Sequence, residues 1–76
     1  MKNNILCILK GIRPEFEFAE VENFFDEGLL DSFDLVTLVS ELDKTFGIHI
    51  DGMDIVAENF KNIDAIESLL KKNGIN

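Results

Sequence analysis

The sequence predicts an all-α fold: a small antiparallel bundle of three main helices plus one short helix, with a long loop between the first and second main helices. Three observations predict it. Apolar residues recur at helical offsets in three separate stretches. Capping residue types and glycines stand at the ends of those stretches. The 76 residues show no second composition regime, so positions 1–76 read as a single domain, near the lower size limit for folding without disulfides or metals.

From residue 3 to residue 12, Ile5, Leu6, Ile8, Leu9 and Ile12 form one broad apolar stripe, which Gly11 and Pro14 bring to an end. Cys7 lies inside that run and is expected to fill core space as a small apolar side chain. From Arg13 to Asp31 the period is lost. Phe16, Phe18, Val21, Phe24, Phe25, Leu29 and Leu30 are scattered among acids and punctuated by Pro14 and Gly28. This segment reads as a long loop held down by hydrophobic anchors, with a short helical turn inside it left open. The strongest signal follows between Phe33 and Phe46, where Leu35, Leu38, Val39, Leu42 and Phe46 stand at offsets 0, 3, 4, 7 and 11. Asp31 and Ser32 are both N-terminal capping types, and Gly47 is placed as the C-terminal stop. Ile48-His49-Ile50 reads as a brief extended stretch, Asp51-Gly52 as a turn, and Asp54 to Glu58 as the short helix. Asn62 is placed to cap a last helix in which Ile63, Ile66, Leu69 and Leu70 face inward, and Lys71, Lys72 and Gly74 suit its C-terminal end.

Composition narrows the function classes. A domain of this size buries only about 60% of the surface its unfolded chain exposes, leaving little room for an enclosed active site, so an enzyme is not expected. Fifteen acidic residues against seven basic ones give a net charge of -8. Such a charge repels nucleic acid and anionic membranes and favours protein partners with basic patches. One cysteine and one histidine make neither an internal disulfide nor a usual zinc site, which fits a reducing cytoplasm. Lys2 precedes the apolar run Ile5 to Leu9, but Lys10 ends it short of a signal core, and no apolar run approaches the roughly 20 residues of a membrane span. A soluble, cytoplasmic, monomeric protein is expected.

The chemistry is concentrated in Asp26-Glu27-Gly28-Leu29-Leu30-Asp31-Ser32-Phe33-Asp34, which runs directly into the second main helix. Over essentially its whole length the chain resembles the acyl carrier protein superfamily in size, acidity and helix order. The modified serine of those proteins lies in an Asp-Ser-Leu type motif at the start of their second helix, and Asp31-Ser32-Phe33 occupies that place. The Gly28 to Ser32 run is most similar to D-alanyl and peptidyl carriers, and Phe46-Gly47-Ile48 follows in the expected order. The resemblance implies that 4'-phosphopantetheine is attached to Ser32 by a magnesium-dependent phosphopantetheinyl transferase using coenzyme A. It also implies that Asp31 helps present the serine, by capping the helix or by ligating the metal. Ligases, synthases or transferases would load and unload an acyl or aminoacyl thioester.

The residue types support this implication. A hydroxyl at a helix start is left in solvent, and a phosphodiester formed there sits by the positive end of the helix dipole. A thiol on a long arm holds its cargo at high effective concentration for each docked enzyme, a reach that Cys7 lacks. With the apolar stripe turned inward, Phe33, Asp34, Val36, Thr37, Ser40 and Glu41 make a candidate partner-docking face, with Lys44 farther along. Thr37 and Lys44 stand where carriers of fatty acid synthesis are commonly acidic, which tilts the expectation toward a specialised pathway.

Each of these residues also has a plainer reading. Ser32 alone is an ordinary N-cap, Phe33 and Val36 are ordinary surface apolar residues, and Asp34, Glu41 and Asp43 merely solvate a helix. His49, alone between two isoleucines, reads as structural. Phe16, Phe18, Phe24 and Phe25 read as loop anchors, with a sheltering space for cargo as the alternative. Asp51-Gly52-Met53-Asp54 lacks the alternating ligands and closing glutamate of a calcium loop, so no metal site is expected. Two other functions compete with the carrier. One is an unmodified acidic helical protein-interaction module. The other is a small hydrolase using Ser32, which lacks a convincing base and a nucleophile-elbow motif.

Overall fold

A computed structural model describes residues 1–75. Helix α1 spans Lys2–Ile12, α2 Ser32–Phe46, α3 Ala57–Phe60 and α4 Ile63–Lys72, with a single 3-10 turn at Gly52–Asp54. Among the described residues there is no strand, so the all-α expectation holds. Helix α1 packs against both α2 and α4, and α3 packs against α4. The core between them is built from Ile5 and Leu9 of α1, Leu38, Val39 and Leu42 of α2, Phe60 of α3, and Ile63, Ile66, Leu69 and Leu70 of α4. The inward stripes of α2 and α4 are those the spacing predicts, with Leu35 and Phe46 partly buried at the two ends of α2.

Cys7 does not fill core space: its side chain is exposed. Ile5 and Leu9 define the buried face of α1, and a residue two positions from either is turned about 200° around the axis. The apolar run of α1 is therefore wider than the face it buries. A thiol reagent is expected to label Cys7 in the native protein at nearly the rate found in denaturant. Strong protection in the native state would contradict this placement.

The segment between α1 and α2 has no regular helix but is tied down throughout. Phe18, Phe24 and Leu30 are buried. The Phe18 and Phe24 rings meet edge to face at 5.2 Å, and Phe16 meets Phe18 the same way at 6.4 Å. Phe18 and Phe24 are buried in the core, with Phe16 and Phe25 partly buried against it. A tight turn runs from Asn23 to Gly28. The Asn23 side chain accepts from the N–H groups of Phe25 and Asp26, each at 3.0 Å. Gly28, at φ 80°, supplies the left-handed conformation that closes the turn, and the N–H groups of Leu29 and Leu30 then donate to the Phe24 carbonyl at 2.8 and 3.2 Å. The turn is pinned to the junction of α3 and α4 by Phe24 N–H donating to Lys61 O at 2.6 Å and by Asn62 Nδ2 donating to Glu22 O at 2.9 Å.

After α2 the chain reverses at Gly47, whose φ of 64° lets its N–H reach back to the Asp43 carbonyl. His49 is exposed. Ile50 anchors this stretch, by its burial and by its N–H donating to Asp43 Oδ1 at 3.1 Å. The expected short helix over Asp54 to Glu58 is replaced by two pieces. Asp51 caps the 3-10 turn by accepting from Met53 N–H at 2.9 Å, and Val56, extended at φ -131° and ψ 149°, separates that turn from α3. Helix α3 begins later than its expected counterpart because burying Phe60 sets its register. Asn62 caps α4 as expected, accepting from Ala65 N–H at 2.8 Å.

Candidate functional site

The candidate site is the first turn of α2. Asp31, extended at φ -123°, is the N-cap, and Ser32 is the first helical residue. Two reciprocal bonds fix this register: Asp34 N–H donates to Asp31 Oδ1 at 2.9 Å, and Asp31 N–H donates to Asp34 Oδ2 at 3.2 Å. The plain reading of Ser32 as the cap is thereby removed, because Asp31 performs that task and the Ser32 side chain stays exposed. A signal for this was present in the sequence. An acid stands three residues after Asp31, whereas Leu35 stands three after Ser32, so only Asp31 can form a capping box.

A residue that the sequence reading passed over completes the arrangement. Arg13, the C-cap residue of α1, places Nε at 3.0 Å and Nη2 at 2.9 Å from Asp34 Oδ2. Its Nη2 also lies 3.6 Å from Asp31 Oδ2, and its Nη1 lies 3.8 Å from Glu15. The hydrogen bond and charge of Asp34 raise the pKa of the Arg13 guanidinium above its ordinary value, so it stays cationic. No local pattern announces Arg13, because its partner is 21 residues away.

The Asp31 carboxyl is held below its ordinary pKa, first by the backbone N–H of Asp34, against opposing desolvation, and further by the Phe33 N–H and the Arg13 charge. A carboxyl depressed in the folded state contributes stability that is full above the unfolded carboxylate range and is lost as pH falls through the folded value. Asparagine caps equally well but does not titrate there. The thermal stability advantage of wild type over Asp31→Asn is therefore expected to narrow as pH is lowered from about 6 to about 2. A constant difference across melting curves in that range would contradict it.

The proposed docking residues separate into two stripes. Phe33, Val36 and Ser40 face solvent, Phe33 being 84% and Val36 67% exposed. Asp34, Thr37 and Glu41 line a cleft of about 540 Å³ beside α1 with Cys7, Ile8 and Ile12, Asp34 and Glu41 partly buried and Thr37 exposed at its edge. Asp34 in particular is only 13% exposed and is committed to Arg13 and the cap. Thr37 Oγ1 donates to the Phe33 carbonyl at 3.2 Å, and Glu41 pairs with Lys44 at 3.5 Å. Among the described residues no cluster of three or more His, Cys, Asp or Glu side chains is placed to hold a metal ion, and no helix is long and apolar enough to cross a membrane.

This turn can present one solvent-facing primary hydroxyl beside the unpaired N–H groups and positive end of a helix that runs to Phe46. Those features suit a phosphodiester at Ser32. The family model described as phosphopantetheine attachment site matches residues 8–70, from the middle of α1 through most of α4. Neither a curated protein nor a solved structure matches the chain.

Proposed function

We propose that this chain, which belongs to the phosphopantetheine attachment family, is a carrier holding an acyl or aminoacyl thioester on 4'-phosphopantetheine joined to Ser32. The observation that carries this reading is the division of labour at the start of α2: Asp31 caps the helix, and the Ser32 hydroxyl is left free and exposed. The attachment reaction makes a bond from Ser32 Oγ to phosphorus and breaks the pyrophosphate of coenzyme A. The adenosine bisphosphate leaves, and the serine proton passes to a base of the transferase. Once attached, the arm supplies the thiol that bears the cargo. Ser32 contributes the tether point, Asp31 and Asp34 hold the register, and the helix N-terminus favours the new negative charge.

Phe33, Val36 and Ser40 form the surface against which the transferase and the loading and unloading enzymes dock, with Thr37 and Glu41 at its border. The excess of acid over base in the chain favours partners with basic rims. Catalytic acids and bases belong to those partners. Thr37 and the Glu41–Lys44 pair make this face less acidic than that of fatty acid carriers, which supports a specialised pathway.

Incubation with coenzyme A, magnesium and a broad-specificity transferase is expected to add one phosphopantetheine to the wild type and none to Ser32→Ala, read by intact mass. An unmodified wild type beside an active control carrier would refute the proposal. The large exposure of Phe33 and Val36 also favours a second reading, an unmodified interaction module. In that case Ser32→Ala would leave partner binding intact.

A further inference from the structure

The geometry points to Arg13 as a positioning residue for the modification of Ser32, acting through the Asp31–Asp34 capping box; this rests on the reading of Ser32 as the attachment point. Asp34 Oδ2 accepts from Arg13 Nε at 3.0 Å and from Asp31 N at 3.2 Å, and Arg13 Nη2 lies 2.9 Å from it in the same ion pair. One oxygen thus joins the end of α1 to the start of α2. The Asp34 carboxylate is 13% exposed, so it needs a compensating charge, and Arg13 is the cation placed on it.

Without Arg13 the stranded carboxylate recovers by rotating into solvent. Rotation breaks the bond to Asp31 N–H and loosens the cap. The first turn then frays. Ser32, itself a capping residue type, then competes with Asp31 for the cap position and folds its hydroxyl back onto the helix. The population with Ser32 as the first helical residue falls, and the apparent affinity of the transferase for its carrier falls by the same fraction. A positioning role of this kind raises the KM for the carrier. It leaves kcat and the KM for coenzyme A unchanged, since once bound the serine is the same nucleophile.

The test is steady-state transfer of phosphopantetheine from coenzyme A to wild type, Arg13→Gln, Arg13→Lys and the double variant Arg13→Gln with Asp34→Asn. Backbone amide exchange at Asp31 and Asp34 is followed in each. Arg13→Gln is expected to raise the carrier KM about five- to tenfold at constant kcat, with faster exchange at both amides. Arg13→Lys, which keeps the charge but loses the fork, should fall between the two. The double variant removes the stranded charge while keeping an acceptor for Asp31 N–H, and it should return to within about twofold of wild type. A wild-type KM for Arg13→Gln would overturn the proposal. So would a double variant as impaired as Arg13→Gln, because Arg13 would then act by touching the transferase or the phosphodiester and not through Asp34. A wild type that takes no phosphopantetheine beside an active control carrier refutes the attachment reading itself, and this proposal with it.

Discussion

Replacing Leu42 by alanine is expected to lower the free energy of unfolding by about 2–5 kcal/mol. Leu42 is fully buried in the second half of α2, within the core cluster, and its side chain cannot be removed without leaving a void. A domain of 76 residues is held by about 4–11 kcal/mol in total, at roughly 0.05–0.15 kcal/mol per residue, so this one change removes a large share of it. Urea unfolding followed by circular dichroism should show a lower midpoint at unchanged slope. Val36→Ala, six residues nearer the site on the exposed stripe, should stay within about 0.5 kcal/mol of wild type. Equal losses at the two positions would mean that α2 is not oriented as described.

Asp34→Ala is expected to cost about 1–3 kcal/mol and, with it, much of the protein's competence for modification. The substitution deletes at once the half of the capping box in which Asp31 N–H donates to Asp34 Oδ2 and the acceptor for Arg13. In a domain of this length each kcal/mol moves the melting temperature by about 4–8 °C, so the loss is readily measured. Asp34→Asn keeps an acceptor for Asp31 N–H and should lose less on both counts. If Asp34→Ala melts like wild type and is modified at the wild-type rate, the first turn of α2 is not organised by this carboxylate. The residue would then return to the solvated docking role that its position in the sequence suggests.

That contrast shows where sequence reasoning reaches and where it stops. The stripes of α2 and α4 are legible because burial repeats with the helix period, so Leu38, Val39, Leu42, Ile66 and Leu70 identify themselves. Cys7 is misread because α1 carries apolar residues around more of its circumference than its neighbours cover, and periodicity alone does not say which part they cover. The loop from Arg13 to Asp31 is legible as anchored but not as built. Its turn depends on Asn23 capping and on a bond from Phe24 to Lys61, the second of which joins distant parts of the chain. The site divides the same way. Ser32 and Asp31 can be found from their order before a helix, and the capping box from an acid three residues on. Arg13 is found only when α1 is laid against α2, because a salt bridge across 21 residues leaves no local trace.

A carrier of this kind must bear its arm on Ser32 in the cell. The most direct measurement is the mass of the Ser32-containing peptide in protein isolated from the native cell, with and without thioester cleavage. The account predicts 4'-phosphopantetheine on Ser32, with an acyl or aminoacyl group released by cleavage from part of the population. Ser32 found unmodified in every molecule would contradict it.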